Sequence, residues 1–294
     1  MPTLRAKYIT IALGIVFMIG VGVFLLTNKP KKIVVVPPLI SKTAFVDYKV
    51  IGTSVEGRSI EAYTYGTGST RLLFVGGIHG GYEWNSVLVA YNLMDYLSLH
   101  KEAIPKNLTI AIVPSLNPDG LYRVIGKEGR FAVADVPTIK KPLGTGRFNA
   151  HNVDLNRNFD CNWQPKSTWQ NKTVSAGTRP FSEPEAKTLR DFIMSYAPAS
   201  VVFWHSQANT VYASHCNAGV LPETVDIMNV YANAAGYNAV KTFTAYETSG
   251  DSEGWLASIG IPAITVELKT HETVEWDQNL AGIKAIFKYY QQKL

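Results

Sequence analysis

Short apolar runs alternate along the chain with longer segments whose apolar residues recur at helical spacing. The runs fall at 72–75, 108–113, 200–204 and 262–266, and the longer segments at 86–99, from 182 onward, at 222–235 and at 280–291. Continuous runs of about four to eight apolar residues are typical of strands buried on both faces, and a period of about 3.6 residues is typical of helices. Their alternation predicts an α/β fold with a mixed, mostly parallel central sheet and helices on both faces.

One of the predicted helices carries a start signal in its sequence. Ser182 is followed three residues later by Glu185, which is the spacing of a capping box. In that motif the serine hydroxyl and the glutamate carboxylate each accept a hydrogen bond from a backbone N–H at the other end of the first turn. We therefore expect Ser182 to cap this helix.

The N-terminal region differs in composition from the rest of the chain. Tyr8 to Leu26 contains 19 residues without a charge, enough for about 28 Å of helix at ~1.5 Å per residue. A cleavable signal peptide is the alternative, but no small-x-small cleavage site follows, and we favour an uncleaved anchor. The sequence predicts a short tail at 1–7, a transmembrane anchor or signal segment at 8–27, a Pro/Lys spacer at 28–44 and a single domain at 45–294.

The positive charge of the chain is concentrated in the same N-terminal region. The formal net charge is +5, yet residues 1–46 contain six basic residues and no acid, so the remainder carries −1. A nucleic-acid-binding protein needs basic residues clustered on its folded domain, so we expect no nucleic-acid partner. We expect a monomer at the cell membrane, single-pass and with its domain outside the cytoplasm, or a secreted protein if the segment is cleaved. Basic residues on both sides of the segment leave the orientation open.

Polar side chains follow three of the predicted strands at the point where each strand ends. His79 and Glu83 follow the first apolar run, His205 comes directly after the third, and Glu267 directly after the fourth. Open α/β sheets bind ligands outside the carboxyl ends of their strands. If these strands are neighbours, the four side chains meet in one cleft.

Two imidazoles and two carboxylates in one cleft match the requirements of a catalytic zinc site. Zinc in such sites takes three N or O ligands from the protein and keeps one position open, and a further carboxylate can accept a proton from the zinc-bound water. No G-x-S-x-G or P-loop motif supports another chemistry. The segment 271–275 lacks the second histidine of H-E-x-x-H and is interpreted as a polar loop. The remaining histidines are assigned no function: His100, His151, His215 and His271.

The motifs around these residues are more specific together, and in order, than any of them alone. They are G-I-H-G-G-Y-E at 77–83, N-P-D-G at 117–120, R-F-N-A-H-N-V-D-L-N-R-N-F at 147–159, H-S at 205–206, Y-E-T-S-G at 246–250 and T-V-E at 265–267. With this ordered set the chain resembles the zinc metallocarboxypeptidase family, and within it the bacterial branch that includes murein peptide amidases.

The resemblance implies one zinc ion per chain, held by His79, Glu83 and His205, with Glu267 activating the attacking water. The first zinc motif of the family is usually H-x-x-E, whereas three residues separate His79 from Glu83 here. The two glycines between them can absorb the extra residue as a loop or bulge. We therefore expect Glu83 to remain a ligand.

The resemblance also implies four residues that act on the substrate. Arg147 matches the arginine that polarises the scissile carbonyl, Asn156 with Arg157 the pair that grips the terminal carboxylate, and Tyr246 the tyrosine over the substrate terminus. Counted from Tyr246, Glu253 falls where family members that prefer basic termini carry an acid. Glu253 either selects a cationic terminal side chain or faces water on a loop.

Cys161 and Cys216 follow the segments that carry Arg157 and His205. A disulfide bond between them fits a location outside the cytoplasm, and the alternative is a pair of free buried thiols. The sequence leaves both open.

Three functions compete at this point. The first is a zinc-dependent metallocarboxypeptidase that hydrolyses the C-terminal peptide bond of peptides, with a preference for basic or diamino acid termini. The second is a murein peptide amidase that acts on cell-wall peptides. The third is a catalytically inactive module that binds peptide ends, which is disfavoured because such a module has no need of Glu267.

Overall fold

The computed structural model describes residues 46–139 and 141–293, which fall within one compact unit. Its strands are β1 (Val46–Thr53), β2 (Ser59–Gly66), β3 (Thr70–Val75), β4 (Leu108–Val113), β5 (Lys166–Trp169), β6 (Lys172–Ser175), β7 (Ser200–Ser206), β8 (Thr210–Ala213), β9 (Asn238–Val240) and β10 (Ala263–Leu268). Its α-helices are α1 (Trp84–Leu99), α2 (Pro118–Ile125), α3 (Pro184–Tyr196), α4 (Pro222–Ala235), α5 (Ser252–Ser258) and α6 (Trp276–Gln292).

Eight of the described strands form one sheet in the order β1-β2-β4-β3-β7-β10-β8-β9. The central strands β4, β3, β7 and β10 pair in parallel, as do β8 and β9, whereas β1–β2, β2–β4 and β10–β8 are antiparallel. Four of the seven pairings are therefore parallel, and the predicted mixed, mostly parallel α/β fold is confirmed. The remaining strands, β5 and β6, form a separate antiparallel pair.

Helices cover both faces of the sheet because successive residues of its central strands point in opposite directions. In β3, Leu72 and Phe74 belong to one hydrophobic cluster and Leu73 and Val75 to the other. The first cluster packs against α1, α4 and α6, and the second against α3 and α5. Burial on both faces is the reason why the central strands are apolar at consecutive positions.

The prediction that Ser182 caps the next helix is wrong. No side chain caps α3, whose first turn follows Glu183. Glu185 is fully buried and accepts hydrogen bonds from Val55 N at 3.1 Å and from Asn149 Nδ2 at 3.0 Å. The Glu185 carboxylate, which a capping box would use, is therefore hydrogen-bonded to partners distant in the sequence.

The predicted anchor at 8–27 lies outside the residues that the structure describes. Within 46–139 and 141–293, no helix has both the length and the apolar character needed to cross a membrane. The membrane segment therefore stays a prediction of the sequence.

Cys161 and Cys216 are joined by a disulfide bond, so the first of the two alternatives for these cysteines holds. The backbone oxygen of Cys161 also accepts a hydrogen bond from Gly250 N at 2.7 Å. This hydrogen bond fixes the loop after Arg157 next to the segment that leads into α5. Arg157 itself and the segment before α5 contribute side chains to the cleft described below.

Candidate active site

The carboxyl ends of β3, β7 and β10 bring the predicted polar residues together. The three strands are adjacent and parallel, and His205 pairs with Glu267 in the register of β7 and β10. His79 and Glu83 come from the loop after β3, where Gly80–Glu83 forms a 3-10 turn. All nine site residues predicted from the sequence line one cleft at this edge: His79, Glu83, Arg147, Asn156, Arg157, His205, Tyr246, Glu253 and Glu267.

Three side chains that can bind a metal converge at the centre of this cleft. His79 Nδ1 lies 2.8 Å from Glu83 Oε1 and 3.2 Å from His205 Nδ1, and His205 Nδ1 lies 3.0 Å from Glu83 Oε2. Zinc–ligand distances of about 2.0–2.1 Å with tetrahedral angles give ligand–ligand separations of roughly 3.3 Å. The side chains are buried, and their spacing fits a single zinc ion.

The extra residue between His79 and Glu83 is absorbed by the 3-10 turn. Gly80 has a φ of +46°, and a Cβ atom there would lie 2.7 Å from the backbone oxygen of Gly146 and 2.9 Å from the backbone of Gly120. Only glycine fits both this conformation and this close approach. The turn therefore brings Glu83 back onto His79, as expected from the sequence.

The electrostatics of the cluster favour a carboxylate surrounded by positive charge. Burial by itself would raise the pKa of Glu83, but the charges of His79 and His205 hold it well below its usual value. Burial would lower the pKa of His205, yet Glu83 and Glu253 raise it well above its usual value. A divalent cation bound between these side chains would supply the same positive charge to the Glu83 carboxylate, and the two imidazoles would then not need to be protonated.

Asp154 joins several of the predicted residues, although no pattern in the sequence singled it out. Its Oδ2 accepts hydrogen bonds from Arg147 Nε at 3.0 Å and Nη2 at 2.8 Å, and its Oδ1 lies 3.4 Å from His79 Nε2. Burial would raise the pKa of Asp154, but Arg147 and His79 hold it well below the usual value. The available signal was its place two residues before Asn156 in the long motif at 147–159.

Arg147 is held with one end of its guanidinium towards the cluster of His79, Glu83 and His205. Two of its nitrogens are occupied by Asp154, and Nη1 lies 3.6 Å from Glu83 Oε1. The guanidinium also lies over the ring of Trp169, with 4.6 Å between its carbon and the ring centroid. The side chain is therefore fixed on three sides, and it is buried in the wall of the cleft.

Within the described chain, Glu267 has one carboxylate oxygen without a partner. Its Oε2 is buried and has no hydrogen-bond partner among the described residues. Burial raises the pKa of Glu267 to about 8, with His205 opposing this shift and Glu83 adding to it. A carboxyl group with a raised pKa beside a metal-ligand cluster is suited to exchanging protons near neutral pH.

Asn156 and Arg157 present hydrogen-bond donors to another part of the cleft. Asn156 Oδ1 accepts from Ser252 N at 2.8 Å and from Ser252 Oγ at 2.9 Å, which leaves its Nδ2 without a partner in the described part of the chain. Arg157 donates to the backbone oxygen of Thr168 from Nε at 3.2 Å and Nη2 at 3.0 Å. These bonds fix both side chains while leaving N–H groups for a carboxylate.

Glu253 is buried in the cleft wall and does not face water on a loop. Its Oε1 accepts from Thr265 Oγ1 at 2.9 Å and lies 3.3 Å from His205 Nε2. Burial would raise the pKa of Glu253, but His205 lowers it to about 2. Its neighbour Asp251 accepts from Gly254 N at 2.7 Å and so caps α5.

Tyr246 lines the cleft next to Phe243, with 4.9 Å between their ring centroids. Burial raises the pKa of Tyr246, so its hydroxyl stays protonated at neutral pH and can donate a hydrogen bond to a ligand.

The structure places His271, a residue to which the sequence assigned no function, in the cleft as well. His271 lines the same cleft, where its ring centroid lies 4.5 Å from that of Tyr82 and its Nδ1 lies 2.8 Å from Ser206 Oγ. As a lone histidine in a polar loop it carried no recognisable motif. Its hydrogen bond to Ser206 spans 65 residues of sequence, so only the tertiary structure reveals the contact.

Comparison with known proteins agrees with this geometry. The family model for zinc carboxypeptidases, Peptidase_M14, matches residues 40–290. Gamma-D-glutamyl-L-diamino acid endopeptidase 1 of Lysinibacillus sphaericus is 25% identical over 264 residues, which cover 83% of this chain and 64% of that protein. Murein peptide amidase A of Escherichia coli K12 is 31% identical over 131 residues, which cover 41% of this chain and 50% of that protein. The chain thus spans less than two thirds of either relative.

A solved structure shares the fold at low sequence identity. Bovine thrombin-activatable fibrinolysis inhibitor, in complex with tick carboxypeptidase inhibitor, superposes with a TM-score of 0.65 and 20% identity, covering 84% of this chain and 88% of that chain. Together with the family match over most of the chain, this identifies the fold. The chain belongs to the zinc carboxypeptidase family.

Proposed function

We propose that the protein is a zinc-dependent metallocarboxypeptidase that hydrolyses the C-terminal peptide bond of peptides. The observation that carries this proposal is the triangle of His79, Glu83 and His205 ligand atoms beside the unpartnered carboxylate oxygen of Glu267. A metal site that only stabilises the fold is closed by four protein ligands. Here three converge in an open cleft, which leaves room for water and substrate.

Each residue then has a role that its contacts support. When bound, zinc lowers the pKa of a coordinated water and polarises the scissile carbonyl. Glu267 accepts the proton of the attacking water and passes it to the leaving amine, as expected for a general base that later acts as an acid. Arg147, held by Asp154, supplies N–H groups to the oxyanion that forms on the carbonyl.

The other end of the cleft binds the substrate terminus in this proposal. Asn156 Nδ2 and the remaining N–H groups of Arg157 hold the terminal carboxylate, because a guanidinium fork matches its geometry. Tyr246 lies over the bound residue and donates from its hydroxyl. We propose that residues 8–27 tether this domain to the membrane, with the domain outside the cytoplasm.

A matched pair of peptides tests the carboxypeptidase function. We expect a blocked peptide with a free C-terminal carboxylate to be hydrolysed, and the same peptide with a C-terminal amide to lose roughly 10- to 100-fold or more in kcat/KM. The amide cannot form the charge-assisted hydrogen bonds, each of which contributes about 1.5–3 kcal/mol. Activity should also disappear with a chelator and return with zinc. A protein that holds zinc and binds peptides but hydrolyses none would instead be the inactive binding module.

A murein peptide amidase is the second candidate, and the two bacterial relatives favour it. One is named for a γ-D-glutamyl-L-diamino acid bond and the other for murein peptides. The comparison of kcat/KM for a γ-D-glutamyl-diaminopimelate peptide with that for an ordinary α-linked peptide of the same terminal residue separates the candidates. A large advantage of the γ-linked peptide would assign the amidase function.

The side chain of the terminal residue is selected by Glu253 in this proposal. We expect peptides ending in Lys, Arg or diaminopimelate to be preferred over those ending in Phe or Leu, because the buried carboxylate pairs with a cationic group. Glu253→Gln should reduce the ratio of basic to apolar kcat/KM about 10- to 100-fold, since a hydrogen bond to a charged group contributes about 1.5–3 kcal/mol.

Glu102→Gln is the matched control for this variant, because Glu102 is an exposed carboxylate on the 3-10 turn after α1. It should leave the ratio unchanged. Since Glu253 also lies 3.3 Å from His205 Nε2, zinc content is measured in parallel, and the ratio within one variant is unaffected by partial zinc loss. A basic preference that survives Glu253→Gln would show that another group selects the terminus.

Gly80→Ala tests the turn that brings Glu83 to the metal. A left-handed conformation costs a residue with a Cβ about 1–2 kcal/mol, and at Gly80 the Cβ also meets the backbone of Gly146 and Gly120. We expect zinc affinity to fall at least ~10-fold, as measured by competition with a chelator, because displaced ligands bind more weakly.

Gly57→Ala separates these two effects. Gly57 has a φ of +83°, but a Cβ atom at this position would meet nothing within 4 Å, so the substitution carries the backbone cost without the clash. We expect Gly57→Ala to lower the melting temperature and to leave zinc affinity unchanged. Equal zinc affinities for the two variants would contradict the role assigned to the turn.

A further inference from the structure

The loop between β10 and α6 is held in place by side chains as well as by its own turn. Thr270 Oγ1 accepts hydrogen bonds from Glu272 N at 3.1 Å and Thr273 N at 3.0 Å. Asn85, at the start of α1, donates from Nδ2 to the backbone oxygens of Thr270 at 2.6 Å and Thr273 at 2.9 Å. His271 lies within this fixed loop.

The hydrogen bonds of Asn85 determine the orientation of the next side chain. Both N–H groups of its amide are used by backbone oxygens, so its Oδ1 must act as an acceptor. Ser206 Oγ lies 3.0 Å from that oxygen and is its donor. The single proton of the Ser206 hydroxyl is therefore committed to Asn85.

This chain of hydrogen bonds sets the tautomer of His271. Ser206 Oγ also lies 2.8 Å from His271 Nδ1, and because its proton is already used, Nδ1 must carry a proton and donate it. Burial lowers the pKa of His271, so the ring is neutral at neutral pH. In a neutral imidazole with Nδ1 protonated, Nε2 has a free lone pair and can only accept.

Nε2 has no hydrogen-bond partner in the described part of the chain, while the ring lines the cleft. His205 lies between two carboxylates. Its Nε2 is 3.3 Å from Glu253 Oε1, and its Nδ1 is 3.0 Å from Glu83 Oε2. Tyr82, which contacts His271, directly precedes Glu83, whereas Asn156 bonds to the segment around Glu253. Among the described residues, His271 contacts Tyr82 and Ser206, which adjoin Glu83 and His205 in the sequence. It has no contact there with Asn156, Arg157 or Tyr246, the residues assigned to the substrate terminus.

We infer that His271 is a substrate-binding residue that offers Nε2 as a hydrogen-bond acceptor to the peptide N–H on the acyl side of the scissile bond. The inference rests on the proposed function, since the acyl side is defined by the position of the terminal carboxylate. It adds a recognition element for substrates with at least two linked residues before the bond that is cleaved.

The test compares an amide with an ester in the ligand, using the full chain loaded with zinc and carrying Glu267→Gln to prevent turnover. The ligands are acetyl-Ala-Ala-Xaa and its analogue with lactic acid as the central residue, where Xaa is the terminal residue that binds most tightly. The ester lacks the N–H. With His271 present, we expect the dissociation constant of the ester to be about 3- to 10-fold higher, the effect of one neutral hydrogen bond.

The same ratio is then measured with His271→Phe, which keeps a ring against Tyr82 and leaves the Ser206 hydroxyl donating to Asn85. We expect the ester-to-amide ratio of dissociation constants to be smaller in this variant, because the hydrogen bond to Nε2 is absent for both ligands. His271→Gln should restore part of the ratio, because its amide oxygen can replace Nε2 as the acceptor. A ratio that is the same in all three proteins would overturn the inference while leaving the proposed function intact. Failure to bind either peptide would overturn both.

A measurement without substitution covers the case in which a variant does not fold. Nitrogen chemical shifts of the His271 ring in the zinc-loaded protein should show a protonated Nδ1 and an unprotonated Nε2. Addition of the amide ligand should shift the Nε2 resonance, and addition of the ester should shift it less. A protonated Nε2 in the free protein would overturn the inference.

Discussion

Replacing His205 by alanine is expected to remove bound zinc and peptide hydrolysis together while the fold survives. His205 provides one of three converging ligand atoms, with its Nδ1 at 3.0 Å from Glu83 Oε2 and at 3.2 Å from His79 Nδ1. Loss of a residue that merely supports a ligand costs about 10–100-fold in metal affinity, and loss of a ligand should cost more. Metal analysis after dialysis, together with a kinetic assay, measures both effects.

The fold should survive because neither hydrophobic cluster of the sheet includes His205. Circular dichroism and the thermal transition of the variant check this. His100→Ala is the matched control, since His100 is exposed and its only charged contact in the described chain is with Glu102 at 3.3 Å. Stoichiometric zinc in His205→Ala would show that His205 is not a ligand.

Glu267→Gln is expected to retain zinc and to lower kcat by roughly 10²–10⁴-fold, the usual contribution of a general base. Glutamine has nearly the same shape as glutamate but cannot accept the proton. A carboxylate in this cleft can either bind the metal or act as the general base. The variant separates these two roles, because Glu267 is not among the three converging side chains. Metal analysis and single-turnover kinetics on the same sample decide the result.

The pH dependence gives the same assignment a second test. Burial raises the pKa of Glu267 to about 8, and the positive charge of His205 opposes that shift; a bound cation acts in the same direction as His205. A general base must be deprotonated, so kcat/KM should fall as the pH drops through this pKa, and the decrease should lie below about pH 8. This decrease should be absent in Glu267→Gln. It should remain in Glu272→Gln, because Glu272 is an exposed acid in the following loop. Near-normal turnover in Glu267→Gln would mean that another group takes the proton.

Local patterns were sufficient for the central elements of the fold. The apolar runs at 108–113 and 200–204 became β4 and β7, and the helical segment at 222–235 became α4 with the predicted bounds. The edge strands escaped prediction because their residues are largely exposed. In β1, for example, no residue is fully buried, so its sequence contains no continuous apolar run. The short helix α2 was also missed, although Asn117 caps it by accepting from Gly120 N at 2.8 Å.

The sequence by itself determined that His79, His205 and Glu267 leave the same edge of the sheet, because parallel strands buried on both faces have a local signature and a fixed direction. Only the tertiary structure decided how those side chains are held. Asp154 joins Arg147 to His79, Glu185 is drawn away from its helix by loop partners, and His271 meets Ser206 across 65 residues. Such contacts link positions distant in the chain, and a hydrogen bond between two side chains leaves no periodic trace in the sequence around either of them.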